Sequence, residues 1–126
     1  MVTTLYRPVG LFELRLIADS GYRAFPPRLP AQPIFYPVLN REYAVQIARD
    51  WNTKDAASGS LGAVTAFDLP RDYLEAFPVQ MVGTSLHQEL WIPAEQLDEF
   101  NQHIIGLIRL TDVFYGEGYQ GEPISM

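Results

Sequence analysis

The stretch LGAVTAFDL, residues 61–69, combines small apolar and β-forming residues and predicts a buried strand. Outward toward the C-terminus, the pattern predicts three more strands and two short helices. The strands are expected at residues 79–82, 88–92 and 104–114, and the helices at residues 70–75 and over about nine residues from Pro93. Toward the N-terminus, two strands alternate with two longer helices. The strands are expected at residues 3–9 and 34–38, the first ending near Arg7 before Pro8, and the helices at residues 11–20 and 41–51.

This order of elements predicts the fold class. Four strands separated only by short helices favour an α+β fold over a doubly wound parallel sheet. We expect a bent, mainly antiparallel split sheet of about six strands, with two longer helices and short helices packed on it. Residues 1–126 form one predicted domain, and the glycine-rich segment from about residue 116 is expected to be a loose tail.

The helix at residues 41–51 has a clear start and a clear apolar side. Asn40 is a favourable N-cap residue. An apolar stripe at helical spacing predicts that Ala44, Ile47, Ala48 and Trp51 face the core. Trp51 as a wall of a cleft is the alternative.

Composition limits the class of protein. The chain has 126 residues, 48% hydrophobic and 19% charged, as in ordinary globular domains. It contains no cysteine, which excludes disulfides, thiolate metal sites and cysteine nucleophiles. No stretch approaches the roughly 18 apolar residues of a membrane span. Residues 1–4 lack the pattern of a secretory signal, so a bacterial-type cytoplasm is the expected location.

Charge is divided unevenly along the chain. Residues 1–63 carry seven basic and five acidic side chains, whereas residues 64–126 carry two and ten, for a net charge of −6. A protein this acidic is not expected to bind nucleic acid through a broad basic face. Eight of the nine basic residues are arginines, whose planar fork suits phosphate or carboxylate groups. Solvated surface arginines and internal ion pairs are the favoured explanation, and an anion site is the alternative. Arg28 lies in the proline-rich stretch AFPPRLPAQP, residues 24–33, which predicts a stiff loop holding it against the body.

Common catalytic signatures are missing. His87 and His103 are the only histidines, and His87 with Glu89 supplies two metal ligands at best, so no metal site is predicted. The sequence has no nucleophile elbow, P-loop or dinucleotide glycine fingerprint.

Three polar residues at strands remain as candidates: Arg7, Tyr36 and Glu89. A carboxylate in the otherwise apolar strand QELWI is costly unless it faces a cleft or a partner, which makes Glu89 the best candidate for a catalytic side chain. The alternative is an edge-strand glutamate in water.

Several segments of the sequence, including those that hold Arg7 and Tyr36, resemble a known family. The segments TLYRPVG, SGYRAFPPRLPAQPIFYPVLNREYA, IARDWN, FPVQMVG and LWIPAEQLDEFN resemble a group of small bacterial proteins labelled "ADP-ribosylation/crystallin J1". The resemblance covers about residues 4–114 and implies no particular reaction.

The order of the polar residues is also similar to that of the ADP-ribosyltransferase-like fold, a split α+β sheet that binds NAD. This resemblance implies that Arg7 holds the phosphates or ribose of NAD, with Arg28 as a further binding residue. It implies that Tyr36 and Tyr43 pack on nicotinamide. Glu89 would bond a ribose hydroxyl and stabilise the oxocarbenium-like centre as nicotinamide leaves. His87 stands where arginine-first members carry Glu or Gln, and their hydroxyl-rich strand is absent.

Two hypotheses follow, and whether the protein is an enzyme stays open. In the first, NAD is a substrate rather than a prosthetic group, and ADP-ribose is transferred or NAD is hydrolysed; Arg7, Tyr36 and Glu89 must then converge on one cleft. In the second, a non-catalytic module binds a small molecule or a protein beside the proline-rich loop. That hypothesis predicts an exposed aromatic patch, from Phe25, Trp91 or Tyr115, with Glu89 in open solvent. A homodimer through an edge strand is a third interpretation, and no membrane partner is expected.

Overall fold

The computed structural model describes residues 1–125, so Met126, the last residue of the predicted domain, lies outside it. Within that range the chain forms seven strands and four α-helices. The strands are β1 (Val2–Val9), β2 (Ile34–Phe35), β3 (Leu61–Pro70), β4 (Val79–Met81), β5 (Gln88–Leu90), β6 (Ile92–Pro93) and β7 (Ile105–Tyr115). The helices are α1 (Leu11–Asp19), α2 (Arg41–Asp50), α3 (Arg71–Leu74) and α4 (Leu97–Gln102). Short 3₁₀ turns lie at residues 52–54, 56–58 and 94–96.

The central sheet has the order β1-β3-β7 and is antiparallel throughout. The middle strand β3 is buried along most of its length, which explains its continuous run of small and apolar residues. Strand β1 continues through Pro8 to Val9 instead of ending near Arg7. Proline is tolerated there because β1 is an edge strand of this sheet. The N–H that Pro8 lacks is not needed for a hydrogen bond to β3.

Val38 joins this sheet to the strand pair β4 and β5. The N–H of Val38 donates to the Tyr6 carbonyl at 2.7 Å, and the Tyr6 N–H donates back at 3.0 Å. On its other side Val38 bridges to Glu89 of β5, which also pairs with β4. A separate ladder joins β2 and β6. The architecture is therefore α+β with a split antiparallel sheet, and the predicted fold class is confirmed.

The core is built around four phenylalanines whose ring centroids are 4.8 to 6.2 Å apart. They are Phe25, Phe35, Phe67 and Phe100. Phe25 is only 2% exposed, so its expected place in an exposed aromatic patch is wrong. Leu97 and Phe100, from the helical segment after Pro93 whose first turn is 3₁₀, are also buried in this core.

Helix α2 lies so close to β3 that only small side chains fit between them. Ala44 and Ala48 are fully buried, and a Cβ at Gly62 of β3 would lie 2.0 Å from the Ala48 carbonyl oxygen. Trp51, one turn further along, is 69% exposed, so its predicted core position is wrong. The close approach of helix and sheet leaves no room for an indole on that stripe.

The start of α2 is fixed as the sequence predicts, and its cap is a test of stability. Asn40 Oδ1 accepts the Tyr43 N–H at 2.8 Å, and Asn40 Nδ2 donates to the Leu86 carbonyl at 2.6 Å. We expect Asn40→Ala to lower the free energy of unfolding by about 1–2 kcal/mol, measured by urea titration. Asn40→Asp keeps the capping acceptor but loses the donor to the Leu86 carbonyl, so it should retain only part of that stability. An alanine variant as stable as the parent would contradict the role of this cap.

The segment after β7, for which the sequence predicts a loose tail, contacts the rest of the domain. The Gly116 N–H donates to the Ser60 carbonyl at 2.8 Å, and the Ile124 N–H donates to the Tyr115 hydroxyl at 2.7 Å. Tyr119 and Ile124 pack against the main core.

Among the helices of residues 1–125, none has the length and apolarity that crossing a membrane requires.

Candidate functional site

The structure brings the five predicted site residues together around one cleft of about 620 Å³. They come from separate elements: Arg7 from β1, Arg28 from the proline-rich loop, Tyr36 from the turn after β2, Tyr43 from α2 and Glu89 from β5. Val38 makes this convergence possible, because it pairs with both β1 and β5 and so sets their separation. This volume is in the range of small-molecule and cofactor sites.

Glu89 is the buried acid of the cleft. It is 8% exposed, and its carboxylate accepts the Tyr43 hydroxyl at 2.6 Å and the Trp91 indole N–H at 2.9 Å. Both donors are neutral, and within residues 1–125 Glu89 has no salt bridge to a basic side chain. The alternative of an edge-strand glutamate in water is wrong, because β5 is paired on both sides at this residue, with Gln80 and with Val38.

Tyr43 orients Glu89. Burial, followed by the hydrogen bond and the charge of Glu89, raises the pKa of Tyr43 above its ordinary value. The hydroxyl therefore stays protonated and donates to the carboxylate. The Tyr43 ring packs on the His87 ring with centroids 4.6 Å apart. Its contribution in this structure is to hold Glu89, while the expected packing on nicotinamide stays a prediction.

Arg7 is buried and already has an acidic partner. It is 5% exposed, and its Nε and one terminal nitrogen donate to the two carboxylate oxygens of Glu13 at 2.7 and 3.0 Å. Its guanidinium lies 4.6 Å from the centre of the Phe35 ring. Burial alone would lower the pKa of Arg7, but the charge and hydrogen bonds of Glu13 raise it above its ordinary value.

Arg28 faces the same cleft without an acidic partner in the described chain. Its Nε donates to the Ile34 carbonyl at 3.1 Å, and its guanidinium lies 5.9 Å from the centre of the Tyr36 ring. Burial and repulsion from Arg7 lower the pKa of Arg28. The two terminal nitrogens form no hydrogen bond within residues 1–125, so they are available to an anion.

Three lining or supporting residues are absent from the candidate list: Glu13 forms the ion pair with Arg7, Trp91 donates to Glu89, and Phe12 lines the cleft. Trp51 lines the cleft as well, which agrees with the alternative of a cleft wall. The sequence does contain a signal for Glu13, since this acid lies in the first turn of α1, six residues after Arg7. Nothing local marks Trp91, because its contact depends on the break between β5 and β6.

Metal chemistry gains no support from the described residues. In residues 1–125 no group of three or more His, Asp or Glu side chains is placed to hold a metal ion. The His87 ring is instead hydrogen-bonded to the Gln46 amide at 2.9 Å.

Comparisons with protein-family models, with curated proteins and with solved structures find no match to this chain. The geometry and charge of the cleft are therefore the basis for any inference about function.

Proposed function

We propose that the cleft binds NAD and that the protein is an ADP-ribosyltransferase-like enzyme, which transfers ADP-ribose or hydrolyses NAD. The observation that carries the proposal is Glu89, a buried carboxylate with no cationic partner in the described chain, in one cleft with Arg28 and Tyr36. A buried carboxylate without a counter-ion is costly to the fold, so such residues are concentrated at functional sites. The cytoplasmic location and bacterial origin stay predictions.

The charges of NAD complement those of the cleft. NAD carries a positive pyridinium ring and a negative diphosphate. Within residues 1–125 neither Glu89 nor Arg28 forms an ion pair, and the two terminal nitrogens of Arg28 make no hydrogen bond. Tyr36 lines the same cleft, is 41% exposed and supplies an aromatic surface for a planar ring.

The proposed reaction uses Glu89 to stabilise developing positive charge. The bond between C1′ of the ribose and the nicotinamide nitrogen breaks, and its electron pair leaves with nicotinamide, which becomes neutral. Positive charge then develops over C1′ and the ring oxygen, where a fixed carboxylate lowers the energy of the transition state. An acceptor nucleophile, or water, forms the new bond to C1′ and releases a proton. Tyr43 and Trp91 keep the carboxylate in place.

A non-catalytic binding module is the second hypothesis, in a changed form. Its predicted patch fails at Phe25 and its predicted exposure of Glu89 is wrong, since both residues are buried. Two other aromatic residues, Phe12 and Trp51, are exposed at the cleft and would suit a partner protein or a flat ligand. Homodimerisation through an edge strand stays a prediction.

Titration with NAD is the direct test of the proposed function. At 100 times its dissociation constant, NAD should stabilise the fold by about 2.7 kcal/mol, which corresponds to a rise in melting temperature of roughly 10 °C. Nicotinamide release, followed by chromatography, should accompany binding. Binding without release would favour the non-catalytic module, and no shift at millimolar NAD would overturn the proposal.

A further inference from the structure

The two arginines of the cleft differ in how much of their charge is balanced. Arg7 makes a two-pronged contact with Glu13, and together they form a neutral unit. Arg28 has only a backbone carbonyl as hydrogen-bond partner and forms no ion pair within residues 1–125, while the nearby charge of Glu13 acts on it only from a distance. An incoming anion gains more from an uncompensated cation than from one that is already paired.

The surroundings of Arg7 are those of a structural group. Its side chain is packed against the Phe35 ring inside the core, and Phe35 is itself fully buried. A phosphate could use the Nε side of the Arg7 fork only by displacing Glu13, which would leave a partly buried carboxylate without a partner. The burial of Arg7 and its pairing with Glu13 both oppose direct phosphate binding by Arg7.

The surroundings of Arg28 are those of a recognition group. The proline-rich loop restricts its backbone, and the bond from Nε to the Ile34 carbonyl fixes the guanidinium at the cleft. Its terminal nitrogens keep the paired donor geometry that matches phosphate oxygens. Little entropy remains to be lost when an anion binds, because the side chain is already held in place.

We propose that Arg28 recognises the diphosphate of the ligand, and that Arg7 with Glu13 is a positioning pair that supports Tyr36 and the strand end. This inference rests on the proposed function for the identity of the ligand. It assigns the diphosphate to the proline-rich loop, whereas the family resemblance implies that Arg7 holds it.

Calorimetric titration with inorganic pyrophosphate and with ADP-ribose tests the assignment. Arg28→Gln should weaken binding of both probes by about 10- to 100-fold, because a hydrogen bond to a charged group contributes about 1.5–3 kcal/mol. It should also flatten the dependence of affinity on salt, since one charge contact is removed. Arg23→Gln is the matched control, because Arg23 is an exposed arginine close in sequence that does not line the cleft. Its affinity should stay within twofold of the parent.

The role of Arg7 needs a variant that removes the ion pair as a neutral unit. The double variant Arg7→Gln with Glu13→Gln should keep pyrophosphate affinity within a few-fold while lowering the melting temperature. Glu13→Gln alone should tighten pyrophosphate binding, because it leaves the charge of Arg7 unbalanced. A loss of binding in the double variant as large as that in Arg28→Gln, with the variant still folded, would overturn the positioning role.

The probes separate this inference from the proposed function. Pyrophosphate binding that depends on Arg28, in a protein that does not bind NAD, would support the anion site and overturn the NAD proposal. NAD binding that survives Arg28→Gln would overturn the inference alone. Failure of the parent protein to bind pyrophosphate, ADP-ribose and NAD would overturn both.

Discussion

Glu89→Gln is expected to lower the rate of nicotinamide release from NAD by about 10²- to 10³-fold, the size of effect seen when one preorganised electrostatic group is removed from a transition state. The substitution keeps the shape of the side chain and removes its negative charge. The amide oxygen can accept the Trp91 N–H while the amide nitrogen donates to the rotatable Tyr43 hydroxyl, so the hydrogen bonds of the site can be satisfied. Affinity for ADP-ribose, which lacks the pyridinium cation, should change little.

Two further variants make this prediction specific. Glu95→Gln makes the same chemical change at an exposed position in the segment after β6 and should leave the rate unchanged. Tyr43→Phe keeps the carboxylate and removes one donor that orients it, so an intermediate loss of about 10-fold is expected. A Glu89→Gln variant that releases nicotinamide at the parent rate, with an unchanged melting temperature, would remove Glu89 from the chemistry.

The elements predicted most accurately are those fixed by local interactions. The cap at Asn40 depends on one side chain and an N–H three residues later, which are both readable in the sequence. The alternation of short strands and short helices likewise predicts the class of fold. The predicted end of β1 near Arg7 is wrong because the cost of Pro8 depends on whether the strand lies at the edge of a sheet, which the sequence does not specify.

The errors in the site arise from distances that no local pattern contains. The apolar stripe predicts which side of α2 faces the sheet, and Ala44 and Ala48 agree with it. The stripe does not predict the gap between helix and sheet, and that gap places Trp51 at the cleft instead of in the core. In the same way, the burial of Glu89 depends on Val38, which is far away in sequence.

The ion pair of Arg7 is also not predictable from the sequence. Arg7 and Glu13 are six residues apart, but they meet only because β1 passes directly into α1. Their pairing changes which arginine is available to a ligand. The sequence therefore presents Arg7 and Arg28 alike, and only the structure distinguishes the arginine in an ion pair from the arginine without one.

Gly62→Ala is expected to lower the free energy of unfolding by about 3 kcal/mol, the upper end of the usual cost of overpacking. The new Cβ would lie 2.0 Å from the Ala48 carbonyl oxygen, and this neighbour is helix backbone that cannot rotate away as a side chain can. Helix α2 must therefore move away from β3, or β3 must bend. The melting temperature, measured by circular dichroism, should fall by about 10 °C or more.

This substitution also connects the fold to the site, because α2 carries Tyr43, whose hydroxyl holds Glu89. A displaced helix would lengthen that hydrogen bond, so nicotinamide release should fall even at temperatures where Gly62→Ala is fully folded. Gly118→Ala is the matched control, since its Cβ would meet side-chain atoms of Ser60, the rotatable hydroxyl at 2.7 Å and the Cβ at 3.4 Å, and no backbone atom within 4 Å. Its stability should stay within about 0.5 kcal/mol of the parent, the usual range for substitutions away from such features. Equal melting temperatures for the two alanine variants would show that α2 does not depend on its close approach to β3.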